Sequence, residues 1–168
     1  MKYLIVIDMQ KDFVDGSLGT PEAQAIVPNV EKKAADGNYD KVLFTFDTHY
    51  ENYMNTLEGK KLPVPHCVKG TAGWESVLSA ETLGINETII KNTFGYNNWL
   101  MKLYDVDSIE LVGLCTDICV ISNALILRAL FPDVPITVDA SCCAGTTPEA
   151  HKAALTVMKS CQIDIINE

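Results

Sequence analysis

Positive charge is scarce in this chain. Its 168 residues carry 13 Lys and Arg against 22 Asp and Glu, a formal net charge of −9. Nothing in their order gathers the cations into a patch. Duplex binding depends on Lys and Arg clustered at the phosphates, so no nucleic-acid partner is expected. Long hydrophobic runs are missing as well: the longest, Tyr3 to Ile7, stops at Asp8. A membrane span needs about 20 such residues and a signal peptide an apolar core of roughly 7–15. Neither is expected, and the expected setting is cytoplasmic, with no membrane partner. The six cysteines, at 67, 115, 119, 142, 143 and 161, contain no Cys-x-x-Cys pair. With no export signal and two of them adjacent, they read as reduced, buried, small hydrophobes. Only three histidines occur, at 49, 66 and 151.

What remains is ordinary globular stock, 48% hydrophobic and 21% charged. A chain of this length buries roughly two-thirds of its unfolded surface, so it needs neither disulfide nor metal to fold. One domain over 1–168 is expected. Val- and Ile-rich runs recur at Tyr3–Asp8, Lys41–Asp47, Glu87–Lys91, Ser108–Gly113, Val134–Asp139 and Gln162–Ile166. Continuous apolar character marks strands covered on both faces. Between them the periodicity predicts helices over Val27–Ala35, Tyr96–Tyr104, Thr116–Phe131 and Pro148–Cys161, the last opened by Thr147 as N-cap and Pro148 at N1. Such alternation predicts an α/β fold, a three-layer α/β/α sandwich on a Rossmann-like six-stranded parallel sheet of order 3-2-1-4-5-6. One stretch breaks the rhythm. Thr48 to Asn86 has only a short expected helix near Trp74–Ala80, and a segment that long without regular structure is usually functional.

Ligands of an open parallel sheet bind beyond the carboxyl strand ends, where strand order reverses. Asp8 ends the first strand, Lys91 the third, and Cys119 follows the fourth. Each alone has a bland explanation: a turn cap, a solvated strand end, a core thiol. All three at one edge favour a nucleophile with an acid–base partner. At the start of the strongest predicted helix, the dipole and a nearby ammonium would stabilise a Cys119 thiolate, and the turn's amides would face a developing oxyanion. The second strand ends in Asp47-Thr48-His49, with His66 seventeen residues further on. Residues i and i+2 of an extended segment share a side, so a carboxylate and two imidazoles could form an open divalent-metal site. Glu58, between the histidines, is a further candidate ligand or else a solvated loop acid beside Lys60 and Lys61.

The chain resembles the isochorismatase-like cysteine hydrolases, and within them the nicotinamidase branch. The resemblance rests on Asp8-Met9-Gln10-Lys11-Asp12-Phe13, Asp47-Thr48-His49, Pro65-His66-Cys67-Val68-Lys69-Gly70-Thr71, Lys91-Asn92-Thr93-Phe94 and Gly113-Leu114-Cys115-Thr116-Asp117-Ile118-Cys119-Val120. It implies a triad of Asp8, Lys91 and Cys119. It implies a cis peptide between Leu114 and Cys115, with the amides of Cys115 and Cys119 as oxyanion hole, and Phe13 in the substrate pocket. A divalent ion on Asp47, His49 and His66 would hold the ring nitrogen of a small amide substrate, or its water. Zinc is the first choice, with Fe, Mn or Mg as alternates. Family members often form dimers or larger assemblies, so a homo-oligomer stays open. Pro63 departs from the aromatic that often stands three residues before the second metal histidine, so the pocket's aromatic walls are expected from Phe94, Tyr96 or Trp74 instead. Two alternatives remain at this point: a metal-independent carbamoyl or ureido hydrolase, and a metal- or ligand-binding module without turnover.

Overall fold

The computed structural model describes residues 1–83 and 87–168. Six strands, β1 (Lys2–Ile7), β2 (Lys41–Asp47), β3 (Glu87–Lys91), β4 (Ser108–Leu114), β5 (Ile136–Ala144) and β6 (Asp164–Ile166), form one sheet ordered β3-β2-β1-β4-β5-β6. Every neighbouring pair is parallel. The expected topology is met, with the reversal between β1 and β4. Side chains alternate across β1. Tyr3, Ile5 and Ile7 join a core under the helices α5 (Ile121–Leu130) and α6 (Pro148–Ser160), with Ala124, Leu127, Leu155 and Met158. Leu4 and Val6 join a second core with Phe13 and Val14 of α1 (Lys11–Val14) and Ile26 and Val30 of α2 (Pro21–Ala35). Both faces are dry, which is why the strand reads as an unbroken apolar run.

Several boundaries differ from expectation, each for a local reason. Thr20 accepts the Ala23 N–H and Pro21 opens α2, so this helix starts six residues before Val27. Pro28 lies inside it, where a proline usually marks a start or a break. β5 runs five residues past Asp139 because the small, buried Cys142, Cys143 and Ala144 continue the sheet, with Gly113 opposite Cys143. β6 is shorter than expected, since Gln162 takes a left-handed turn (φ 62°) after α6. The helix expected over Tyr96–Tyr104 reduces to a 3-10 turn, Trp99–Met101. Asn123 takes over as organiser there: its side-chain oxygen accepts from the Tyr96 amide and the Trp99 indole. Residues 116–120 form a π turn ahead of α5 rather than its first α turn.

The long excursion after β2 is structured in short pieces: a 3-10 turn at Tyr53–Asn55, α3 (Leu57–Lys61), a second 3-10 turn at Ala72–Trp74, and α4 (Ala80–Leu83). Between the last two, Ser76 makes an antiparallel bridge with Gln10, and the Val77 amide donates to Met9 O, so no helix spans Trp74–Ala80. Asn86, the expected end of the excursion, lies outside the described residues. All six cysteines are free. Among the described residues no helix is long and apolar enough to cross a membrane.

Candidate active site

The carboxyl ends of β1, β2 and β3 put three charged side chains side by side. Asp47 and Lys91 are register partners, and the Thr48 amide donates to Lys91 O at 2.8 Å. Asp8 leaves β1 in the left-handed region (φ 46°), which aspartate tolerates better than most residues. Lys91 Nζ lies 2.6 Å from Asp8 Oδ2, 3.4 Å from Asp47 Oδ1 and 3.6 Å from Cys119 Sγ, and donates to Thr93 O at 3.2 Å. Asp8, Lys91 and Cys119, expected together from the sequence, are in fact together and all buried. Thr45 Oγ1 donates to Asp8 Oδ1 at 2.7 Å. Asp8 Oδ2 touches the ammonium yet accepts no aligned hydrogen bond among the described residues, which leaves a lone pair for a proton. The peptide between Leu114 and Cys115 is cis, as the resemblance implied.

Burial dominates the electrostatics here. It raises the Asp8 carboxyl, opposed by Lys91 and aided by Asp47. Burial disfavours the Lys91 charge, but Asp8, Cys119 and Asp47 outweigh it and hold the ammonium well above its ordinary value. The Cys119 thiol is pushed well up, by burial first and then by Asp8, against the pull of Lys91. Burial and Asp8 thus work against the expected helix-start thiolate, and Lys91 works for it. Burial also raises Cys67, Cys143, Cys115 (to about 12) and Cys142 (to about 11). What distinguishes Cys119 is its company, an ammonium and a carboxylate, and not a low pKa.

The second group lies alongside. One ligand atom each from Asp47, His49 and His66 fall within 4.8 Å of one another, and all three residues are buried. His49 Nε2 is 3.0 Å and His66 Nε2 3.7 Å from Asp47 Oδ2. Glu58 Oε1 sits 3.6 Å from His49 Nε2 and 3.7 Å from His66 Nε2, so Glu58 faces the cluster instead of solvent alone. His66 Nδ1 bonds to Val64 O at 2.9 Å, which places its proton there and leaves Nε2 free to ligate. Burial raises the Asp47 carboxyl, but His49 and Lys91 outweigh it and hold it low. Burial lowers His49, but Asp47 and Glu58 outweigh it and raise the imidazole. Two buried imidazoles and a buried carboxylate, with the half-buried Glu58 beside them, are a donor set that fits a divalent ion.

Sequence reading had assigned no role to the residues that hold these groups. Gln10 is fully buried and grips Asp47 from both sides: its Oε1 accepts the Asp47 amide at 2.8 Å, and its Nε2 donates to Asp47 O at 2.9 Å. Asp12 Oδ2 accepts the Cys67 amide at 2.8 Å, next to His66. The His49 amide donates to Cys67 O, and Lys69 N to His49 O, a parallel bridge that draws the two histidine segments together. Tyr53 packs its ring edge-on to both imidazoles at 4.8 and 5.1 Å. The Asp-x-Gln-x-Asp-Phe spacing was the available signal for Gln10 and Asp12; nothing in the sequence singled out Tyr53.

A cavity of about 790 Å³ opens over both groups, lined among others by Phe13, Phe94, Asp47, His66, Cys115 and Cys119. Phe13 lies 5.4 Å from the His66 ring. Two expected wall residues are corrected. Tyr96 does not line this cavity; its ring packs edge-on to Trp99 at 5.1 Å, in the core under α5. Trp74 faces Phe46 at 5.5 Å and donates from Nε1 to Thr48 Oγ1, an anchor and not a wall.

Residues 2–167 match the model of the Isochorismatase domain. The chain belongs to that family. It is 28% identical to the nicotinamidase/pyrazinamidase of Mycobacterium tuberculosis, with 99% of this chain and 98% of that protein covered. Among solved structures it resembles a pyrazinamidase/nicotinamidase from Streptococcus mutans, at 30% identity and a TM-score of 0.81, covering 99% of this chain and all of that one. It resembles equally the pyrazinamidase of Pyrococcus horikoshii, solved in complex with zinc, at 27% identity, a TM-score of 0.81 and 99% coverage of both chains. The nicotinamidase-like membership expected from the motifs is met.

Proposed function

We propose that this protein is a nicotinamidase-like cysteine amidohydrolase that converts a small carboxamide to its carboxylate and ammonia. The observation that carries the reading is one buried ammonium, on Lys91, within 2.6 Å of Asp8 and 3.6 Å of the Cys119 thiol at the floor of an open cavity. With the amide carbon against the sulfur, the Cys119 proton passes to Asp8 and the thiolate attacks. Lys91 offsets the charge as it moves from carboxylate to sulfur, and the amides of Cys115 and Cys119 hold the oxyanion. Collapse breaks the carbon–nitrogen bond. Asp8 returns its proton to the departing nitrogen, which leaves as ammonia. A water then gives a proton to Asp8 and adds to the thioester; the acid is released and the thiol regains its proton.

Asp47, His49 and His66 would hold a divalent ion, with Glu58 as a fourth candidate, and the mixed nitrogen and oxygen donors favour zinc. When bound, it supplies an electropositive anchor that orients the ring nitrogen of the substrate. Phe13 and Phe94 would flank that ring. The zinc named for the Pyrococcus structure supports this choice.

Ammonia release from pyridine-3-carboxamide (nicotinamide) tests the reading. Wild type should turn it over, and Cys119→Ala should not. Enzyme quenched during turnover should carry the acyl group on Cys119 by mass spectrometry. Turnover undiminished in Cys119→Ala would sink the covalent route.

A further inference from the structure

The cavity is larger than a lone ring amide needs. At about 790 Å³ it stands toward the upper end of the roughly 300–1,000 Å³ found for sites that enclose drug-sized ligands. Its chemistry is divided along its depth. Asp47, His66 and Cys119 line the buried end, with the half-buried Cys115 beside them. Toward solvent four apolar side chains line it, Leu18 from the α1–α2 loop, Leu57 and Leu62 at the two ends of α3, and Phe94 after β3, alongside the polar Lys61, Asn92, Thr93 and Thr146. Leu57 is 70% exposed, Phe94 46% and Leu62 37%, so three large apolar side chains surround the mouth without covering one another. An apolar rim continuous with a reactive centre marks a surface completed by a ligand.

We propose that this site takes primary ring carboxamides that carry an apolar extension, received between Leu18, Leu57, Leu62 and Phe94. The inference rests on the amidohydrolase reading above and narrows its substrate class. The carboxamide must reach Cys119 at the buried end, so whatever else the substrate carries runs outward past those four side chains. Water there gains little from leucine and phenylalanine, whereas an alkyl group would release it. Lys61 is the one cation among the lining residues, and it is exposed, so the wall offers no buried partner for an anionic tail. Such binding is equal in ground and transition states, and it should appear in KM rather than in kcat.

The test compares pyridine-3-carboxamide with its 5-methyl, 5-propyl and 5-pentyl homologues, with the 6-alkyl isomers alongside so that a clash at one ring position does not decide the result. In at least one series KM should fall about fourfold per added methylene over the first few carbons, with kcat steady. In Leu57→Asp, the ratio of pentyl to parent kcat/KM should collapse toward one. If the parent amide turns over but neither series improves, or a carboxylate-ended chain outperforms the alkyl chain, the inference is overturned and the amidohydrolase reading stands. If none of the amides releases ammonia, the reading itself fails and takes the inference with it.

Discussion

The two halves of the site are held in place by different means. Asp8, Asp47 and Lys91 stand at the carboxyl ends of three adjacent strands, and the register of the sheet fixes their neighbourhood before any side chain is considered. His49, Glu58 and His66 ride on the excursion after β2, whose own regular structure amounts to short turns and α3. That half depends on borrowed restraints: Gln10 on Asp47, Asp12 beside His66, and a two-bond bridge between the histidine segments. A parallel sheet alone brings Asp8, Asp47 and Lys91 together; imidazoles beyond it need a dedicated support.

The contrast can be broken at either half. The largest effects on rate belong to the strand-borne groups. Asp8→Asn and Lys91→Met should each lower kcat by two or more orders of magnitude, about what loss of a proton carrier or a charge partner costs. Because the groups act as a unit, the double variant should be little worse than either single one in ammonia release. Lys91→Met also leaves Asp8 and Asp47 buried without their cation, so urea unfolding should show a loss of about 3 kcal/mol unless one carboxyl takes up a proton. A silent Lys91→Met would remove it from the site.

Next come the proposed metal ligands. His49→Ala and His66→Ala should lose stoichiometric divalent metal and weaken substrate binding, while circular dichroism and Cys119 acylation chemistry persist at high substrate. Full activity after exhaustive chelation would argue for the metal-free hydrolase. The support residues should follow: Gln10→Ala and Asp12→Ala are expected to weaken metal affinity about 10–100-fold, as loss of groups that orient ligands does. If metal titration gave wild-type affinity in both, the sheet alone would suffice to place the ligands.

The smallest effect on activity should come from a cluster on the far side of α2. Lys33 Nζ lies 2.5 Å from both Glu110 and Asp139. Burial raises the Asp139 carboxyl, but hydrogen bonds from Lys33, Ser141 and Asn167 outweigh it and hold it low. A carboxyl lowered on folding adds stability that is complete above its unfolded value, about 3.9, and is lost as pH falls through the folded one. Lys33→Ala should therefore leave kcat unchanged near neutral pH and raise the midpoint of acid unfolding.

Much of this was legible in the sequence, for identifiable reasons. Inner strands such as β1 and β4, buried on both faces, announce themselves as apolar runs, whereas the largely exposed edge strands β3 and β6 show only short isoleucine pairs; the strand ends gave Asp8, Asp47 and Lys91. Two adjacent cysteines and an alanine in β5 carry too little bulk to read as strand, although they pair with β4. The segment around Trp99 has helix-like apolar spacing, but its Tyr96 amide and Trp99 indole are held by Asn123, a partner 24 residues from Trp99 that periodicity does not reveal. The thiol's direction of shift was misjudged because sequence order reveals a helix start but not how completely a sulfur is buried. Gln10 shows the remaining limit: a polar residue whose whole role is to hold another residue's backbone leaves no mark except its spacing.

Gly113 carries no side chain. It sits in β4 at φ 113°, and a Cβ there would stand 2.1 Å from Ile7 O, the carbonyl just before Asp8. Asp8 ends one of these strands and Cys119 follows the other, so the spacing of the two side chains depends on how closely the two backbones approach here. A single methyl group would wedge that seam open. The distance between Asp8 and Cys119 thus depends on a side chain the protein does not have.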